Sequence, residues 1–155
     1  MRNEVSVNKV RQDAEDMFRR GDFYCSESII KSVKDNFAID MPDEIIAMAS
    51  GFPVGIGKSK CVCGAVSGGV MALGYFFGRT TGGDPKVQKT LVLANELQQS
   101  FKDNHKHLCC RILTKGMDMA AGGHKDQCVS FTGEIAEKVA AIVVREQGLV
   151  NLDEQ

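Results

Sequence analysis

Apolar residues recur at helical spacing along almost the whole chain. Val7, Val10, Ala14, Met17 and Phe18 share one face of a first helix, and Gly21 is a natural stop for it. A second helix is predicted from about Cys25 to Phe37, with Ile29, Ile30, Val33 and Phe37 as its apolar members. Pro42 suits the first turn of a short third helix through Ile45, Ile46 and Met48. Residues 51–57, GFPVGIG, form a glycine-rich loop. Residues 61–78, CVCGAVSGGVMALGYFFG, carry no charge and are flanked by Lys58, Lys60 and Arg79. That length just reaches the lower limit of a membrane span. A helix apolar all round is also what the centre of a bundle requires, and this is the preferred reading.

Pro85 opens a long helix to about His105, with Val87, Leu91, Leu93, Ala94, Leu97 and Phe101 on its apolar face. Residues 109–115 read as another short helix, ended by Gly116. A last helix runs from about Asp126 to Glu146, where Ile135, Val139, Ile142 and Val143 mark the buried side and Gly148 the end. No strand, repeat or linker is expected. The pattern predicts an all-α fold in one domain over residues 1–155: about six helices around a buried Gly/Ala-rich central helix.

Composition narrows the function. Lys plus Arg number 19 against 20 Asp plus Glu, and a nearly neutral chain lacks the basic surplus of a nucleic-acid binder. The opening MRNEVSVNKVRQ has no apolar run of the signal-peptide kind, so a cytoplasmic location is expected. Thiols stay reduced there, and the six cysteines then point to metal binding or catalysis rather than to disulfides.

Four cysteines fall in comparable settings. Cys25, Cys63, Cys110 and Cys128 each lie in the first turn of a predicted helix. Helix N-termini favour anions, so a thiolate should be stabilised and its pKa lowered. Thiolates are the metal-binding form, and four such ends could converge in a bundle. The competing reading is that each free cysteine packs as a small hydrophobe. The dispersed spacing differs from the paired CxxC of a zinc ribbon.

Cys63-Gly64-Ala65-Val66-Ser67-Gly68 is a CGAxxG motif, with one such cysteine far upstream and two downstream. With these residues the chain resembles the C_GCAxxG_C_C family of redox-active proteins from about Phe23 to Val144. Cys110-Arg111-Ile112-Leu113 resembles the family's Cys-Arg-x-Leu pattern, which selects Cys110 over Cys109. The resemblance implies a redox role and a metal or iron–sulfur centre, with Cys25, Cys63, Cys110 and Cys128 as the ligands. The chain departs from the family at Phe52-Pro53-Val54, where members are often richer in glycine, and it adds Cys61 and Cys109. Cys61 could pair with Cys63 as a CxC dithiol. Gly64, Ala65 and Gly68 put little side chain beside the Cys63 thiol. They leave room either for a cofactor or for a neighbouring helix.

Other motifs fail. Gly57-Lys58-Ser59 ends like a phosphate loop, but Phe52 stands where the first glycine belongs and helix precedes it where a strand is needed. No CxxC, CxxCH or Glu-x-x-His occurs. His124 and Cys128 are four apart and could share a helix face in a Cys/His zinc site, whereas His105 and His107 read as a solvated loop. Glu134, Glu137 and Lys138 read as solvated helix surface. The expected function is electron transfer or redox sensing through an iron–sulfur cluster on the four thiolates, beside a redox partner protein. A metal-free thiol–disulfide protein, a structural zinc site and a helical interaction module, including a homodimer, are the alternatives.

Overall fold

Ser6 sets the start of the first helix. Its hydroxyl accepts the Lys9 N–H at 3.0 Å and donates to Asp153 at 2.6 Å, so one residue caps the helix and ties it to the chain's other end. The structure, a computed structural model, describes residues 1–154. Its helices are α1 (Val7–Arg20), α2 (Cys25–Phe37), α3 (Asp43–Met48), α4 (Gly64–Phe77), α5 (Val87–His105), α6 (Cys110–Leu113) and α7 (Lys125–Gln147). Gly21 and Gly148 end α1 and α7 in the left-handed region, as the sequence pattern requires. Glu27 accepts the Tyr24 N–H at 2.9 Å and fixes the entry to α2.

The all-α reading holds. The helices number seven among the described residues, since α3 and α6 each stand as separate short elements. Helix α2 lies between α1 and α4, and α7 packs against α1, α2, α4 and α5. Ile29, Ile30, Val33, Phe37, Leu73, Leu97, Phe101, Ile135, Val139 and Ile142 fill the space between them and are almost fully buried. Buried serine hydroxyls on α2 are all satisfied: Ser26 donates to the Ala49 carbonyl at 2.8 Å and Ser32 to the Val10 carbonyl at 2.6 Å.

Helix α4 is the buried Gly/Ala-rich element foreseen from its composition. Two glycines make its position possible. A Cβ on Gly68 would stand 2.7 Å from the Cα of Ser26, so α2 and α4 touch through backbone. A Cβ on Gly69 would stand 2.5 Å from the Ile135 side chain on α7. With only 14 residues, α4 is shorter than the uncharged run that encodes it. Among the described residues no helix is long and apolar enough to cross a membrane.

Two expectations need correcting. Cys61–Cys63 is not helical but extended, because Val62 forms an antiparallel bridge with Cys109. The expectation of no strand fails at the termini as well. Strands β1 (Glu4–Val5) and β2 (Val150–Asn151) pair in parallel. Two-residue strands are too short to leave an alternating pattern in the sequence.

Candidate functional site

Cys25 is the first residue of α2, Cys63 the N-cap of α4 and Cys110 the first residue of α6, and Cys128 lies in the first turn of α7. Four helix starts therefore bring four thiols into one region. Cys63 acts electrostatically on Cys25 and Cys128, and Cys110 acts on Cys63 and Cys128. Cys128 also acts on Cys25, closing the group. All the cysteines are free.

Local backbone explains the convergence. Cys63 N–H donates to the Leu108 carbonyl at 2.8 Å and Cys110 N–H to the Cys61 carbonyl at 2.5 Å. These bonds flank the Val62–Cys109 bridge and put Cys63 and Cys110 on the same face of the two-strand pairing. Gly64 does the equivalent for Cys25. A Cβ there would meet the Cys25 sulfur at 2.7 Å and the Phe52 carbonyl at 2.9 Å, so the missing side chain is the space the sulfur occupies. Ala65 is buried in the core and Gly68 lies at the α2 contact, so these two face neighbouring helices.

The loop that covers the site is strained. Val54, Gly55, Ile56, Gly57 and Lys58 run consecutively at positive φ, with Lys60 following. A left-handed residue with a side chain costs about 1–2 kcal/mol, and β-branched residues are rare there. Strain of this kind persists only where surrounding structure over-determines it, and it concentrates at functional sites. Here Pro53 and Val54 wall a cavity of about 580 Å³ that opens on Cys25 and Cys128.

Electrostatics overturns one expectation. Helix starts should lower a thiol's pKa, yet all four are raised. Burial is the main cause at each. It pushes Cys128 up to about 12, and the neighbouring Cys63 and Cys110 push in the same direction. Burial and the nearby Cys63 also hold Cys25 far above the ordinary thiol range. The helix effect is present but smaller at Cys63, where the N–H groups of Val66 and Ala65 oppose the rise; at Cys110 the Thr114 hydroxyl and the charge of Lys60 oppose it. Loss of water outweighs the helix dipole because a buried thiolate without a counter-ion is poorly solvated. Without a cation the four groups are neutral thiols at pH 7.

Among the described residues, no three His, Cys, Asp or Glu side chains are close enough to hold a single metal ion as they stand. The donors are of the right type and mutually near, but not drawn onto one point.

The histidines divide differently from expectation. His105 is not in a solvated loop. It closes α5, packs at a tilt against Phe101 and Phe131 with ring centroids 4.6 and 4.5 Å away, and meets Glu134 at 2.6 Å. Glu134 and its neighbours are correspondingly engaged, since Glu137 pairs with Arg11 and Lys138 with Glu96. The helical pattern could not show these partners because they lie on other helices. His124 lines the cavity with Cys25 and Cys128, together with Phe18, Phe23 and Met119. Its Nδ1 is buried with no hydrogen-bond partner among the described residues. The four-residue spacing to Cys128 was its signal in the sequence; the cavity had none.

Fold and site together define a helical bundle with a four-cysteine centre built at helix N-termini. A family model matches residues 23–142, that of the C_GCAxxG_C_C family, described as "Putative redox-active protein", and the chain belongs to this family. No curated protein and no solved structure matches the chain.

Proposed function

We propose that Cys25, Cys63, Cys110 and Cys128 hold an iron–sulfur cluster, and that the protein passes or senses electrons beside a partner oxidoreductase. The observation that carries this reading is the convergence of four unpaired thiols from four helix starts. Such a donor set suits all-thiolate [2Fe–2S] or [4Fe–4S] ligation, and when bound the cluster supplies a one-electron redox centre. Zinc on the same four thiolates would give a structural site instead. A cytoplasmic setting, which keeps free thiols reduced, suits the same reading.

The chain's own residues would act as follows. Each cysteine loses its proton on ligation, so binding weakens as the pH falls. The N–H groups of Ala65 and Val66 face the Cys63 sulfur and stabilise it as a thiolate. Hydrogen bonds to ligand sulfurs are among the features that set a cluster's potential. Gly64 keeps the space beside Cys25 clear.

Anaerobic addition of ferrous iron and sulfide to the metal-free protein tests the proposal. Visible absorption is expected to develop in the wild type and in Cys61→Ser, and to be lost in Cys63→Ser. Absorption that survives in Cys63→Ser, or a wild type that takes up no iron, would overturn the ligand assignment.

A further inference from the structure

No Asp or Glu occurs from residue 45 to residue 83 or from residue 104 to residue 117. The Val62–Cys109 bridge brings these two acid-free segments side by side. Their cations gather on one face, although the whole chain carries a net charge of −1. Arg111 N–H donates to the Lys60 carbonyl at 3.1 Å, and the Arg111 guanidinium lies 3.5 Å from the Ser59 carbonyl oxygen. Lys102 in the last turn of α5 and Lys106 at its C-cap line a hollow of about 410 Å³ beside the same bridge, with Cys61, His107 and Cys109. Among the described residues, Lys58, Lys60, Lys102, Lys106 and Arg111 form no ion pair. At the edge, Asp103 accepts a hydrogen bond from Gln99, and Glu134 is taken up by Asn104 and His105, so neither pairs with these cations. By contrast, every Lys and Arg of α1 and α2 is paired with a carboxylate.

We propose that this face docks an acidic redox protein, whose Asp and Glu side chains pair with Lys58, Lys60, Lys102, Lys106 and Arg111. Unpaired cations gathered on one face attract a surface of opposite sign and orient it as it approaches. The position of the face gives the contact its use. Cys63 and Cys110 directly follow the bridged residues Val62 and Cys109, so a partner seated here lies beside two of the four thiols. Lys60 is close enough to Cys110 for its charge to act on it. Ile56, Cys61 and Ile112 are exposed in the same two segments and add apolar area between the charges, as protein interfaces have. A nucleic-acid strand is a poorer fit, because residues 56–61 and 106–115 hold no Phe, Tyr or Trp for a base to stack on. The partner's role as an electron carrier rests on the cluster reading above; the charge of the face does not.

An acidic flavodoxin is the probe. In the first measurement a carbodiimide couples its carboxylates to lysines of the metal-free protein, and mass spectrometry maps the cross-links. Lys86 at the opposite end of α5 and Lys9 on α1 are exposed and serve as controls. Yields at Lys58, Lys60, Lys102 and Lys106 should exceed the controls about 10-fold at low salt, a modest steering effect. They should fall to the control level in about 1 M salt, where the screening length is about 3 Å. Equal yields at the face and the controls, or cross-links that persist in high salt, would overturn the docking face. The second measurement follows electron transfer from reduced flavodoxin to the iron-reconstituted protein by the change in visible absorption. Lys102→Glu combined with Lys106→Glu should take up iron as the wild type does, yet be reduced about 10-fold more slowly at low salt. Equal rates for variant and wild type would overturn the proposal. A protein that takes up no iron fails the cluster reading alone, and the cross-links then decide the docking face. A short DNA duplex should not displace the flavodoxin; displacement at equimolar concentration would assign the face to nucleic acid instead.

Discussion

In the metal-free protein at pH 8, Cys25 and Cys128 should resist alkylation while Cys61 reacts readily. With its pKa pushed from about 9 up to about 12, Cys128 has a thiolate fraction about a thousandfold below that of an ordinary thiol. Cys25 is shifted in the same direction by burial and by Cys63. The thiolate is the nucleophile, so iodoacetamide rates followed site by site by mass spectrometry report these differences directly. The same shifts fix the sign of a pH effect on stability. A thiol whose pKa is raised by folding favours the folded state below its unfolded value, and that contribution is lost as the pH rises through the folded value. The metal-free protein should therefore hold its stability between pH 6 and 8, as far as these thiols are concerned. It should weaken as the pH rises from about 9 toward 12. Urea midpoints measured across that range check the direction. Equal alkylation rates at Cys61 and Cys128 would mean that the four-cysteine region is open to water.

Replacing Gly68 with leucine is expected to lower stability by about 2–3 kcal/mol, at the upper end of overpacking effects, and to disperse the thiols. A Cβ at this position would meet the Cα of Ser26 at 2.7 Å and its Cβ and carbonyl oxygen at 3.0 Å. Backbone atoms cannot rotate away, so α2 must move off α4. Cys25 directly precedes Ser26 and Cys63 caps α4, so the same movement separates these two thiols. Gly74 on α4 is the control. A Cβ there has open space, and Gly74→Ala should stabilise by about 0.4–1 kcal/mol. Urea unfolding gives both values. In Gly68→Leu, alkylation of Cys25 should also accelerate as the thiol becomes exposed. A Gly68→Leu protein as stable as the wild type would show that α2 and α4 do not touch through backbone.

These results rest on features of unequal visibility in the sequence. The helix starts were legible because their signals are local: Gly21 before α2, the glycines of CGAxxG in α4 and the apolar spacing of α7 all lie within a turn or two of the boundary. The positions of Cys25, Cys63, Cys110 and Cys128 at those starts followed. Their convergence did not, because it depends on the Val62–Cys109 bridge and on the left-handed run from Val54 to Lys58, which join segments far apart in the chain. The start of α4 at Gly64 is hidden in the sequence for the same reason. Cys61 and Val62 are uncharged like the helix that follows, but the backbone around them is committed to the bridge. The direction of the thiol shifts is not legible in the sequence, because a helix dipole can be read from local sequence and burial cannot. His105 shows this in miniature: its neighbours in the sequence are polar, while Phe101, Phe131 and Glu134 enclose it in the fold.

The most direct measurement is the visible spectrum of the protein purified without oxygen, taken together with its iron and acid-labile sulfide content. The account predicts visible absorption with iron and sulfide in comparable amounts, both lost when Cys63 is replaced by serine. A colourless protein carrying one zinc, or one that stays free of iron and sulfide even after anaerobic reconstitution, would contradict it.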